Sequence, residues 1–125
     1  MNTQRVSREQ AEMLKKVGYD VPTQHYYCEH IVYGVFEETG DECDYNNGYS
    51  FHWSRPTIDE AARWLREVKG WHVKTQPIYM NKSCWEADII AVPLLVLHDT
   101  VYGDTHDLAL SAGIDLILKK LEDGN

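Results

Sequence analysis

The sequence predicts an α+β fold: a single layer of helices packed on a small, mostly antiparallel sheet, in the order α-(ββ)-α-β-β-(β)-α over one domain, residues 1–125. Three observations predict it. Capped amphipathic patterns stand near both ends and in the middle, the stretches between them are rich in Val, Ile, Tyr, Phe and Trp, and turn residues divide those stretches into pairs. A chain of 125 residues, 43% hydrophobic and 26% charged, can bury a core without disulfide or metal as a structural necessity.

The first helix is announced at Ser7, where S-x-x-Q (Ser7 to Gln10) has the form of a capping box, with Val6 and Ala11 as a hydrophobic staple. It is expected from Arg8 to Val17, closed by Gly18, with Ala11, Leu14 and Val17 as a narrow apolar stripe. From Gln24 to Trp53 two β-type runs, HYYCEHIVYGVFE and YSFHW, flank the turn-rich segment ETGDECDYNNG, which predicts an irregular hairpin with a long acidic loop. The strongest local pattern is PTIDEAARWLREVKGW. Thr57 to Glu60 is a capping box, Ile58, Ala61, Ala62, Leu65 and Val68 recur at helical spacing, and Gly70 sits where a C-terminal cap belongs. Trp64, on the margin of that stripe, is expected in the core. WHVKTQPIY and CWEADIIAV, joined by a polar MNKS turn, form a second hairpin in which Pro77 marks an edge strand or a bulge. LLVLHD supplies a third strand, ending before TVYGDTHD. A last helix is expected from His106 to Glu122, capped by Asp104 or Thr105, with Leu110, Ile114, Ile117, Leu118 and Leu121 inward and Gly113 at a close crossing.

Charge limits the function classes. The net charge is −8. From Val17 to Ser54 there is no lysine or arginine, while Asp20, Glu29, Glu37, Glu38, Asp41, Glu42 and Asp44 fall inside that window. Phosphate backbones are bound by Lys and Arg that displace condensed counterions, so this region is not expected to bind nucleic acid directly; a basic protein surface suits it. From Thr57 onward the order α-β-β-(β)-α is similar to that of the double-stranded-RNA-binding fold, but the last helix carries only Lys119 and Lys120, at its far end, so the likeness is of topology. No apolar run approaches the roughly 18–20 residues that span a bilayer, and MNTQRVSREQAEM lacks the pattern of a secretory signal. The expectation is a cytoplasmic protein with reduced thiols and no membrane association.

The phrase PTIDEAARWLRE (Pro56 to Glu67), preceded by VSREQAEMLKKVGYD and followed by DLALSAGIDLILKKLE, resembles a group of uncharacterised small proteins of phages and prophages from anaerobic gut bacteria. Pro56, Thr57, Ala61, Trp64, Leu65, Arg66 and Glu67 carry the resemblance, with Gly18, Ala109, Ala112 and Leu118 in support. It implies a setting and no activity. Most of these residues read as cap, stripe and helix end. Arg66 is the exception, on the polar side with no carboxylate four residues away, and a buried or an interface partner would explain it.

There is no phosphate-binding Gly loop, no G-x-S-x-G elbow and no H-E-x-x-H. The acidic loop fails as an EF-hand because Cys43 falls where calcium needs its first carboxylate. His98-Asp99 and Asp104-x-His106 place imidazoles near carboxylates, with no nucleophile or oxyanion device beside them. Cys28, Cys43 and Cys84 form no C-x-x-C pair, and strand alternation puts Cys28 and His30 on one face with His25 on the other. No catalytic residue and no cofactor is expected. The leading expectation is a non-catalytic accessory protein that binds a protein partner through Tyr26, Tyr27, Glu37, Glu38, Asp41, Glu42, Asp44 and Arg66. The alternatives are an acidic mimic of nucleic acid and a metal-binding protein using Cys28 and His30. Exposed aromatics among Tyr26, Tyr27, Tyr33, Tyr45, Tyr49, Phe51 and Trp53 would locate an interface.

Overall fold

The structure, a computed structural model, describes residues 4–40, 46–48, 51–78, 81–92 and 96–123. Its elements are α1 (Arg8–Lys16), β1 (His25–His30), β2 (Gly34–Thr39), a 3-10 turn (Asn46–Gly48), β3 (His52–Ser54), α2 (Ile58–Lys69), β4 (Trp71–Ile78), β5 (Asn81–Ala91), β6 (Val96–Gly103) and α3 (His106–Glu122). The α+β class holds. The strands, however, form two antiparallel three-stranded sheets, β2-β1-β3 and β4-β5-β6, where one was expected. Pro56 follows β3 almost at once, has no N–H to extend a ladder, and leads the chain into α2, which separates the sheets along the sequence.

Both N-terminal capping boxes form. Ser7 Oγ accepts from the Gln10 N–H at 3.2 Å while Gln10 Oε1 accepts from the Ser7 N–H, and Thr57 and Glu60 do the same for α2. Gly70 ends α2 in the left-handed conformation, φ 74°, its N–H donating to the Leu65 carbonyl. Gln10 is itself buried, and its Nε2 reaches α3 to donate to the Ser111 carbonyl and hydroxyl. The helices lie on one side of the second sheet: α3 touches all three strands, α2 touches β4, and α1 packs on α3. Leu14, Ile58, Leu65, Ile89, Ile114, Ile117 and Leu118 are fully buried there, each side chain contributing about 1.5–3 kcal/mol through burial.

Trp64 is in the core as expected, at 6% exposure, while Val68 at the end of the same stripe is 58% exposed. The indole lies inward on α2, and Val68 sits in its last turn, just before the Gly70 cap. Gly113 is the close crossing: a Cβ there would lie 2.7 Å from Val73 Cγ1 and 3.2 Å from Ile89 Cδ1. Pro77 lies on edge strand β4, with a register shift between Pro77 and Ile78. Two boundaries move. β5 begins at Asn81, inside the expected turn, and β6 runs past Asp99 to Gly103. That extension depends on glycine, because a Cβ at position 103 would sit 2.7–2.8 Å from backbone atoms of Leu108 and Ala109 in the first turn of α3. Thr105, not Asp104, caps α3.

The first β segment departs most from expectation. HYYCEHIVYGVFE is not one strand but a complete hairpin, β1 paired with β2 from His25↔Thr39 to His30↔Gly34, and β3 returns to the other side of β1. Ile31, Val32 and Tyr33 make a three-residue loop closed by Gly34 at φ 83°, the geometry of a hairpin turn that ends in a left-handed residue.

Candidate interaction surface

The hairpin is anchored from beneath. On its inner face Tyr27 is 8% exposed, donates its hydroxyl to the Val6 carbonyl at 3.0 Å, and lies under the Arg55 guanidinium at 5.2 Å. Val35 and Trp53 pack on the core beside it. Arg55 also pairs with Glu37 at 3.2 Å, and Lys15 donates to the His52 carbonyl at 3.0 Å with its ammonium 5.6 Å over the Trp53 ring. The sheet that has no Lys or Arg between residues 17 and 54 is thus held by cations from either side of that window.

What the hairpin presents outward is apolar and aromatic. At its tip Ile31 is 96%, Val32 75% and Tyr33 74% exposed. Cross-strand register puts Tyr26, Cys28 and His30 of β1, Phe36 and Glu38 of β2 and His52 of β3 on one outer face. The rings on it touch in sequence. Tyr26 stacks on His52 at 4.7 Å, and His30 lies 4.9 Å from Tyr33 and 6.2 Å from Phe36. Phe51, whose carbonyl accepts from the Glu29 N–H, is also exposed.

The second sheet shows the contrast. Its outer face carries a polar ladder in which Gln76 donates to Glu86 at 2.8 Å and Thr100 to Asp88 at 3.0 Å, with Lys74 across from Asp88. That is the ordinary dress of a solvent-facing antiparallel sheet. The first sheet does not wear it.

The expected contact residues divide. Tyr26, Glu38 and the exposed part of Glu37 belong to the hairpin surface. Tyr27 does not: alternation turns it inward, where it is core, so it offers no contact area. Asp41, Glu42, Asp44, Tyr45 and Tyr49 lie outside the described residues. Arg66 stands apart, exposed on α2 beside His72 of β4, and forms no ion pair among the described residues. Burial first, and then Arg66 and Lys74, lower the His72 pKa. Ile31, Val32 and His52 were missed, because β-branched residues read as strand and Gly34 was the single turn signal among them.

Cys28 and His30 share a face, and His52 stands across from Cys28. His30 Nδ1 accepts the Val32 N–H at 3.2 Å, and no group of three or more His, Cys, Asp or Glu among the described residues could hold a metal ion. His98 sets its ring against Trp71, Asp99 accepts the Thr100 N–H, and His106 pairs with Asp107 against Trp85. These imidazoles and carboxylates do not converge. An open cleft of about 440 Å³ is lined by Arg5, Pro22, Thr23, Gln24, His25 and Glu60. Burial, then Arg5 and Arg55, lower the His25 pKa while Glu60 raises it, and this balance of charge favours no ligand class. No helix among the described residues is long and apolar enough to cross a membrane.

Fold and surface together define a small α+β protein with an aromatic hairpin platform standing off a helix-backed core. No family model, no curated protein and no solved structure matches the chain.

Proposed function

We propose that this chain is a non-catalytic accessory protein of phage or prophage type that acts in the cytoplasm by binding a protein partner through the β1–β2 hairpin. The setting rests on the resemblance carried by Pro56 to Glu67. The observation that supports the binding mode is the exposure of three consecutive large apolar side chains, Ile31, Val32 and Tyr33, at the tip of an ordered hairpin. Turn positions ordinarily hold Gly, Pro, Asn, Asp or Ser, and local choices that contradict local structure concentrate at functional sites.

Covering those side chains is worth about 1.5–3 kcal/mol each, about 4.5–9 kcal/mol together, an upper figure that mid-range association costs would consume. Association costs about 4–15 kcal/mol before any surplus appears, so the tip alone is too weak and the outer face with Tyr26, Phe36 and His52 must join the contact. Glu38 lies on that face beside Tyr26, a carboxylate that suits a partner surface bearing Lys and Arg, while Glu29 and Glu37 stand on the opposite face of the hairpin. The nucleic-acid-mimic alternative fares less well, since one of its carboxylates, Glu37, is already spoken for by Arg55.

The test is affinity capture from a bacterial host lysate with the wild type and an Ile31→Ser, Val32→Thr, Tyr33→Ser variant. These side chains support no core, so stability should change by less than about 0.5 kcal/mol. The reading expects a partner held by the wild type, weakened by salt and lost in the variant. A partner retained equally by the variant would overturn it.

A further inference from the structure

We propose that the free edge of β2 is a strand-docking site, and that the partner enters as an extended segment carrying Lys or Arg at alternate positions. This rests on the protein-binding reading and specifies how the partner is held. The phase of the ladder decides which backbone groups are on offer. The Gly40 N–H donates to the Gln24 carbonyl at 2.7 Å, whereas on the other side of β1 the Glu29 N–H donates to Phe51 and the His25 carbonyl accepts from Arg55. With the observed register, the hydrogen-bonded pairs of β1 and β2 fall at Tyr26–Glu38, Cys28–Phe36 and His30–Gly34. The N–H and C=O groups of Val35, Glu37 and Thr39 therefore face away from β1, and among the described residues β2 is the outermost strand of its sheet.

Sheet edges are usually guarded by charged side chains, above all Lys, by Pro or by a bulge. In GVFEET the guards are two carboxylates, Glu37 and Glu38, with no Lys, no Pro and no register shift, so the edge disfavours an acidic strand and stays open to a basic one. Its side chains select the charge of the incoming strand. Glu38 stands beside Tyr26 and Phe36 on the outer face, where a Lys or Arg of the partner would meet a carboxylate and ring faces together. A second copy fits poorly, because antiparallel pairing of two β2 edges gathers Glu37 and Glu38 of both chains into one seam.

The experiment uses the full chain and a capped peptide of about seven residues alternating lysine and valine. Its controls are two forms N-methylated at the lysines or at the valines, and a glutamate-for-lysine counterpart. The expected result is binding of the basic peptide but not the acidic one, with amide exchange at Val35, Glu37 and Thr39 slowed about tenfold or more at saturation. One N-methylated form should bind about tenfold or more weakly. Three outcomes would each overturn the proposal: no binding of the basic peptide, binding without protection of those three amides, or equal binding by both N-methylated forms. Concentration-dependent protection of the same amides in the protein alone would give the edge to a second copy and overturn it as well. The tip variant tests the protein-binding reading separately, because its substitutions leave the β2 edge intact.

Discussion

Gly113 and Gly103 show how single atoms position whole elements. Gly113→Ala gains about 1 kcal/mol in helix propensity but drives a methyl group to 2.7 Å from Val73 Cγ1, a stiff β-branched neighbour that cannot swing aside. Overpacking of this kind costs about 1–3 kcal/mol. Chemical denaturation should show a net loss for Gly113→Ala, and adding Val73→Ala should recover part of it relative to Val73→Ala alone. Gly103→Ala has no such relief, since what its Cβ meets is backbone; a loss above about 3 kcal/mol is expected. Two titrating groups carry opposite lessons. Burial, with Glu60 and Asp20 adding to it, pushes the Tyr19 phenol well above its ordinary value. A raised folded pKa leaves stability intact below the unfolded value, about 10, and removes it as pH climbs past that point. Urea midpoints at about pH 8 and about pH 11 should fall for the wild type and fall less for Tyr19→Phe. Asp115 is also raised, by burial first, with a hydrogen bond from Gln10 and the charge of Lys119 opposing. Its contribution is complete below the ordinary carboxylate range and lost above it, so Asp115→Asn should raise Tm at neutral pH and leave it unchanged near pH 3.

At the scale of elements, legibility followed the strength of local signals. α2 could be read almost residue by residue because a capping box, a helical stripe and a left-handed glycine agree; Thr57→Ala should cost it about 1 kcal/mol in thermal or chemical unfolding. α1 was readable from its capping box and stripe, α3 from a Thr cap and a broad apolar face, and Pro77, expected at an edge or a bulge, lies on an edge strand beside a register shift. The hairpin was not readable as such. Ile31, Val32 and Tyr33 have strand preferences that a tight turn overrides, and only Gly34 hinted at it. The pairing of β3 with the first run was legible from two β-type runs flanking a turn-rich segment, and it holds for β1; the sheet count escaped because nothing local says that this hairpin stays apart from β4, β5 and β6. Of the candidate site, Tyr26 and the carboxylates of β2 were legible from composition. Tyr27 was misplaced because exposure depends on strand phase, which residue type alone does not reveal.

For the whole molecule, the two sheets divide the work. The second, backed by α2 and α3 with α1 packed on α3, makes the core and shows solvent a polar ladder beside the exposed Leu97 and Tyr102. The first is tied to that core through Tyr27, Val35 and Trp53 and shows solvent aromatic rings, an apolar tip and an edge strand whose charges are all carboxylates. Exposed apolar surface of this kind lowers solubility unless it is used, and the proposed basic partner would suit the negative charge around it. Tyr33 and Tyr102 make this division measurable, since both are well exposed, at 74% and 59%, on different sheets. Hydroxyl-radical footprinting of the free chain and of its captured complex is the most direct test. The account predicts that oxidation of Tyr33 and Phe36 falls to background in the complex while Tyr102 reacts as before. Protection of Tyr102 with Tyr33 left reactive would contradict it.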